Sequence, residues 1–337
     1  MATTMRAWFM QADADGGGTL VLRDVPVPAP GAGQLLVRMR AASLNRGELI
    51  IGHGLQKAGT TKASGAEGAG DVVSVGADAG DWKAGARAMG RCAGAFAEYA
   101  LLDTREAMHV PAALSYDEAA SLPLTFLVVH DMLVLQGRLR RDEWVLITGV
   151  SSGVGVAALQ LAKALGARVI GTSGSPEKLG RLRPLGLDVA LPTRAADFGD
   201  RVLEATGGKG VDVVVNTVGG SMFAECVRVM AFEGRLATVG YVDGLLKGEI
   251  DIQALHSKRL TLFGVSNKLR SPEQRASGVP AFVREVLPLF AQGRIRPLID
   301  RRFAFDDLPA ARALMESNRH LGKIVLTMPE SAPASAR

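Results

Sequence analysis

Three glycines at the end of an apolar run carry the clearest chemistry in this 337-residue chain. The run Trp144-Val-Leu-Ile-Thr148 leads into Gly149, Gly153 and Gly155, and apolar residues then recur with helical spacing to Leu165. That pattern reads as a strand, a tight turn and a helix start. Such a turn aims backbone N–H groups and the positive end of a helix dipole at one place, where a pyrophosphate can be held. Ser152, Gly153, Val154 and Gly155 are the expected contacts of a dinucleotide. About 20 residues on, where an acid would bind a ribose 2′-hydroxyl, the chain has Ile170-Gly-Thr-Ser-Gly-Ser-Pro176 instead. Small hydroxyls followed by a cation suit a 2′-phosphate, which an acid would repel. Ser173, Ser175 and Lys178 therefore point to NADP, with Thr193 and Arg194 closing the same pocket. The bland alternative for Lys178 is a solvated helix face.

The elements that must position these residues follow from the periodicity. Strands are expected over residues 144–148, 168–172, 189–191, 211–216, 234–239 and 260–264, with helices over 154–165, 176–184, 197–206 and 221–232. Alternating strands and helices imply α/β structure with a doubly wound parallel sheet of Rossmann type. Carboxyl ends of such strands face the ligand, which adds Asn216, Val218, Gly240, Tyr241, Phe263 and Val265 to the cofactor candidates. Before residue 124 the rhythm differs. β-type runs at 34–40, 70–76 and 95–102 are separated by Pro, Gly and Asp, and Ser115 with Glu118 forms a capping box for one short helix. This part reads as a mainly antiparallel β domain. A helix over 279–291, a strand over 301–305, a helix over 308–316 and a strand over 322–327 return the chain to it. The expected domains are 1–124 with 266–337, and 125–265.

Composition narrows the class. Hydrophobic residues at 47% and charged residues at 22% suit a globular enzyme with two cores. The net charge of +5 comes with no Lys/Arg run interleaved with aromatics, so nucleic acid is an unlikely partner. No stretch has the length and apolarity of a membrane span or a leader. Cys92 and Cys226, the only cysteines, give neither a disulfide framework nor metal-site spacing, which fits a reducing cytoplasm.

In order and spacing, several short segments resemble the medium-chain dehydrogenase/reductase superfamily, specifically its zinc-independent quinone oxidoreductase branch. They are Ala42-Ser-Leu-Asn45, Gly65-Ala-Glu-Gly-Ala-Gly70, Phe96-Ala-Glu-Tyr99, Leu122-Pro-Leu-Thr125, the Gly149–Gly155 turn, Gly207-Gly-Lys-Gly-Val-Asp212 and His320-Leu-Gly-Lys-Ile-Val325. The resemblance implies a GroES-like β domain beside the Rossmann domain, Thr125 near the nicotinamide, and a homodimer paired through residues 260–264. The turn also fits short-chain dehydrogenases, which use a Tyr-x-x-x-Lys pair. Four residues beyond Tyr99, Tyr116 and Tyr241 lie Asp103, Ala120 and Leu245, so that pair is missing. Zinc-bearing relatives carry an early Cys and a Gly-His-Glu segment. Here Asn45 and Ala66 occupy those places beside Glu67, and no metal is expected.

Hydride transfer to a simple ketone needs its oxygen polarised by a Lewis acid or a strong donor. Without either, the expected substrate is electrophilic by itself: a quinone or an α,β-unsaturated carbonyl, reduced by NADPH. Asn45 is the expected catalytic residue, orienting substrate or stabilising the oxyanion. Glu48 stands where relatives often have Asp, and His53 is a secondary candidate donor. An enoyl-thioester reductase is the alternative among enzymes. A nucleotide-binding protein of structural or RNA-associating role is the alternative of another class.

Overall fold

A computed structural model describes residues 3–13, 18–49 and 59–329. The chain divides into two units, Met1–Leu124 with Arg270–Arg337, and Thr125–Leu269. The first unit begins with β1 (Thr4–Ala12), β2 (Gly18–Pro26), β3 (Gln34–Ser43), α1 (Arg46–Leu49) and β4 (Thr61–Ala63). It continues through β5 (Glu67–Val75), β6 (Arg87–Arg91), β7 (Tyr99–Asp103), β8 (Ala107–His109) and α2 (Tyr116–Ala120). The Ser115 capping box opens α2 with both reciprocal hydrogen bonds in place. Leu35, Val37 and Met39 of β3 alternate into the core, and Leu36 between them is buried as well, so the strand is covered on both faces there. β5 crosses close against it because Gly70 has no side chain. A Cβ there would overlap the Arg38 carbonyl.

After α3 (Pro123–His130) the rhythm of the second unit takes over: β9 (Trp144–Thr148), α4 (Gly153–Ala164), β10 (Arg168–Ser173), α5 (Pro176–Leu182), β11 (Val189–Pro192), α6 (Gly199–Ala205), β12 (Val211–Asn216), α7 (Gly220–Arg228), β13 (Met230–Thr238), α8 (Ile252–Ser257) and β14 (Thr261–Gly264). The strands form one parallel sheet in the order β11-β10-β9-β12-β13-β14. The order reverses between β9 and β12, where doubly wound sheets bind ligands. The helix expected over 221–232 ends early, at Arg228. Residues from Met230 join the sheet instead, Met230 pairing with Val211, so strand pairing overrides the helical pattern.

The chain then returns to the first unit through α9 (Pro272–Ala276), α10 (Val279–Glu285), α11 (Leu287–Ala291), β15 (Ile299–Ala304), α12 (Leu308–Glu316) and β16 (Lys323–Thr327). The single helix expected over 279–291 is two, broken at Val286. Pro288 is the cause, since it lacks an N–H and crowds the carbonyl four residues back. β16 pairs antiparallel with β3 and completes a sheet in the order β15-β16-β3-β5-β6-β8, with β7 also on β3. The β-run expected over 95–102 becomes a strand only from Tyr99. Before it, Trp8 donates to the Phe96 carbonyl and Phe96 to the Ser64 carbonyl, an irregular crossing. Among the described residues no helix is long and apolar enough to cross a membrane.

Phe198, fully buried among Leu146, Ile170 and Val214, anchors the second core. Phe198→Ala should cost about 3–5 kcal/mol, read as a lowered urea midpoint with an unchanged slope.

Candidate functional site

In the second unit the carboxyl ends of β9, β12, β13 and β14 lie in register, Asn216 beside Thr148 and Thr238, and Thr238 beside Gly264. Gly149 turns the chain after β9 at φ 63°, and a Cβ there would meet Thr217 Oγ1 at 2.6 Å. Ser152 caps α4, its Oγ accepting the Gly155 N–H at 3.0 Å. A Cβ on Gly155 would come within 2.6 Å of the Gly149 carbonyl, so only glycine lets the helix start settle onto the turn. The first-turn N–H groups of Gly153 and Val154 then have no intrahelical acceptor and lie at the positive end of a twelve-residue helix. Groups so placed can hold an anion.

A second cluster of donors lies at the end of β10. Ser151 Oγ is 3.0 Å from Ser173 Oγ, and the Ser175 N–H reaches Ser173 Oγ at 3.4 Å. Ser175 caps α5 by accepting the Lys178 N–H at 3.3 Å. The Arg194 side chain lies across Gly174, where a Cβ would collide with it. Thr193 joins through its N–H on the Ser173 carbonyl (3.1 Å), and its hydroxyl donates to Asp197 at 2.6 Å. β10 itself ends without an acid.

Asn216 is fully buried, and its side chain shapes its own turn. Oδ1 accepts from Thr148 Oγ1 and from the Val218 and Gly219 N–H groups at 3.1 Å each, and Nδ2 donates to the Gly219 carbonyl at 2.9 Å. Thr217 Oγ1 donates to the Thr148 carbonyl at 2.7 Å, locking the ends of β9 and β12 together. Gly240 and Tyr241 follow β13, Tyr241 exposed. Phe263 is half-buried on β14, and Val265 is buried just after it. Thr125 is buried in the first turn of α3.

In the first unit the ends of β3, β5 and β16 meet in a buried polar cluster. Glu67 is fully buried. Its Oε1 accepts from Ser43 Oγ (2.6 Å), Asn45 Nδ2 (2.8 Å) and Lys323 Nζ (2.9 Å), and its Oε2 from the Leu124 N–H (2.6 Å) at the start of α3. Lys323, 5% exposed, also donates to the Leu44 carbonyl at 3.2 Å and to Asn45 Oδ1 at 2.9 Å. Asn45 sends its N–H and its Nδ2 to Glu48 Oε1, each at 2.9 Å. Both amide hydrogens of Asn45 are thus committed, one to Glu48 and one to Glu67. Direct contact with a substrate oxygen requires one of those bonds to open.

Glu48 differs from Glu67. Its Oε2 is buried and has no hydrogen-bond partner among the described residues. Burial pushes its carboxyl up to about 7, against the bonds from Asn45, with Glu67 adding repulsion and Lys323 opposing it. Burial, with Glu67 and Glu48 nearby, pushes the Cys92 thiol up to about 12. His53 lies outside the described residues. Lys323 was visible in the sequence only as part of a motif. Its signal was a lysine opening an apolar strand, a position that demands a buried carboxylate.

Lys323→Met takes the cation away from the buried Glu67 carboxylate, and should cost about 3–5 kcal/mol in chemical denaturation. For Glu48, the folded state binds a proton more tightly than the unfolded chain between pH 4.5 and about 7. Wild-type stability should therefore fall as pH rises through that window, by on the order of 2 kcal/mol. Glu48→Gln should flatten this slope in melting temperature against pH.

Comparisons with known proteins agree with this geometry. Residues 31–112 match the alcohol dehydrogenase GroES-like domain, and residues 153–278 the zinc-binding dehydrogenase domain. The crystal structure of an NAD-dependent alcohol dehydrogenase is 30% identical with a TM-score of 0.83, covering 96% of this chain and 100% of that one. Mycobacterial Rv1454c complexed with NADPH is 28% identical, TM-score 0.85, covering 96% and 99%. The CurK enoyl reductase is 25% identical, TM-score 0.81, covering 95% and 99%. Among curated proteins, the spectinabilin polyketide synthase system protein NorB of Streptomyces orinoci is 35% identical over 322 residues. That match covers 93% of this chain but only 14% of NorB. With an antiparallel GroES-like unit, a parallel Rossmann unit and a full-length relative at 30% identity, this chain belongs to the medium-chain dehydrogenase/reductase family.

Proposed function

We propose that the chain is an NADPH-dependent reductase of quinones or α,β-unsaturated carbonyls that works without a metal ion. The observation that carries this reading is the ammonium of Lys323, 2.9 Å from Glu67, at the centre of the buried polar cluster. The residues present do not fit zinc, which takes tetrahedral thiolate and imidazole donors. Ala66 offers no ligand atom, the Asn45 amide is bonded to Glu48, Glu67 and Lys323, and Glu67 already holds a cation. An acceptor that is electrophilic by itself meets the lack of a Lewis acid.

The second unit suits the phosphorylated coenzyme. Gly153, Val154 and Gly155 would take the pyrophosphate. Ser173, Ser175, Lys178 and Arg194 would take the 2′-phosphate, while Val218, Gly240, Tyr241, Phe263, Val265 and Thr125 would line the rest of the coenzyme. Asn216 would contribute by shaping its turn. When bound, the reduced nicotinamide would supply the hydride. An NADPH complex of a relative supports this choice, although another relative is described as NAD-dependent. A second reading, reduction of enoyl thioesters, is favoured by the CurK enoyl reductase and the polyketide synthase NorB. Two copies would pair through β14, which ends the parallel sheet.

Purified protein mixed with NADPH or NADH and a panel of quinones, enones, enoyl thioesters and alcohols tests the reading. Oxidation of NADPH by the activated acceptors, unchanged by chelator, is expected, and thioester length separates the two substrate classes. Chelator-sensitive oxidation of alcohols with NAD would reverse it. Lys178→Ala and Arg194→Ala, each alone, should raise KM for NADPH by roughly 10–100-fold and leave NADH unaffected, because each charge-assisted bond contributes about 1.5–3 kcal/mol.

A further inference from the structure

We propose that Glu48 is the proton donor of this reductase, holding a carboxylic acid whose O–H at Oε2 is offered to the oxygen of the reduced acceptor. The inference rests on the reductase reading and assigns it a residue that the sequence left without a role. Lys323 has three N–H donors, and Leu44 O, Asn45 Oδ1 and Glu67 Oε1 receive them. Asn45 has two, and Glu48 and Glu67 receive them. Ser43 gives its hydrogen to Glu67 at 2.6 Å. Glu48 Oε2 is the polar atom left over, buried and without a partner among the described residues. A buried polar atom left unmatched costs free energy that a ligand can restore.

The charges facing Glu48 explain why it holds a proton. β5 contributes Glu67, and β16 contributes Lys323, which forms its ion pair with Glu67. After β6 comes the Cys92 thiol, which burial keeps protonated beside Glu67 and Glu48. On α1 itself, Arg46 donates to the Met315 carbonyl and Asn318 and faces Glu316 of α12. One ammonium between two carboxyl groups neutralises one of them, and the buried second is more stable as the acid. A neutral carboxylic acid serving as a donor at neutral pH is an established device for stabilising an oxyanion.

The step balances. Hydride adds to the β-carbon of an enone, its electron pair displaces the π-electrons, and the oxygen becomes an enolate. The Glu48 O–H bond breaks and an O–H bond forms on the acceptor. The Glu48 carboxylate then regains its proton from water, and the enol tautomerises. For a quinone, the hydroquinone anion takes the same proton.

Infrared difference spectroscopy across a pH titration, with no substrate present, reads the proton directly. A carboxylic acid C=O band that bleaches with a midpoint near neutrality is expected in wild type and in Glu48→Asp, and is absent from Glu48→Gln. In turnover with NADPH, Glu48→Gln should lower kcat by about 10²-fold or more and remove its alkaline limb. KM should stay within a few-fold, and Glu48→Asp should keep the limb. A wild-type titration without such a band overturns the proposal even if the variant fails to fold. So does a Glu48→Gln enzyme with wild-type kcat and limb, a result that leaves the reductase reading standing. Failure of every acceptor to oxidise NADPH in the wild type removes both.

Discussion

The Glu67–Lys323 ion pair is the constraint on which the first unit depends. It joins the start of β5 to the start of β16, segments 256 residues apart in sequence. Through Ser43, Leu44 and Asn45 it also holds the end of β3, and through the Leu124 N–H the first turn of α3. A fully buried pair is favourable only when every remaining lone pair and hydrogen is satisfied, and here each carboxylate oxygen and each ammonium hydrogen has a partner. The returning C-terminal strand is therefore placed chemically as well as by its pairing with β3.

The second unit solves a different problem with neutral groups. Its ligand end has no buried ion pair among the described contacts. Instead, Thr148, Asn216 and Thr217 bind one another and the surrounding backbone. Those bonds fix the turns after β9 and β12 on either side of the point where strand order reverses. Rigid turns leave backbone N–H groups pointing outward at low cost in ordering. On the proposed reading, anion binding would come from the backbone and a helix dipole, with Lys178 and Arg194 supplying charge only at the 2′-phosphate end.

Much of this was legible in the sequence because local signals carried it. The Gly149–Gly155 turn, the strand–helix alternation and the Ser115–Glu118 capping box all act over a few residues. The extent of α7 was misread because the pairing of Met230 with Val211, a long-range contact, decides it. The break at Val286 was local, yet an apolar periodicity masked the effect of Pro288. The polar cluster was the least legible part. Asn45, Glu48, Glu67 and Lys323 lie far apart in sequence, and no periodicity announces that one amide nitrogen will serve two carboxyl groups. Lys323 was readable only as an anomaly, a charge at the head of the apolar run Ile324-Val-Leu326.

On the proposed reading, an ammonium in place of a metal would change which acceptors the site can handle. A metal ion with an open coordination position polarises a carbonyl before hydride arrives, so it can activate an unreactive ketone. Lys323 has no equivalent open position, since its donors are directed at protein oxygens. On the proposed reading, Lys323 would fix the charge of its surroundings: paired with Glu67, it would leave Glu48 as the group free to change protonation. A neutral acid is a weak electrophile toward a ground-state carbonyl and a good partner for an oxyanion once one has formed. Its help therefore comes late along the reaction, as negative charge accumulates on oxygen. Such a site would favour substrates whose conjugation lowers the early part of the barrier, which is the property quinones, enones and enoyl thioesters share.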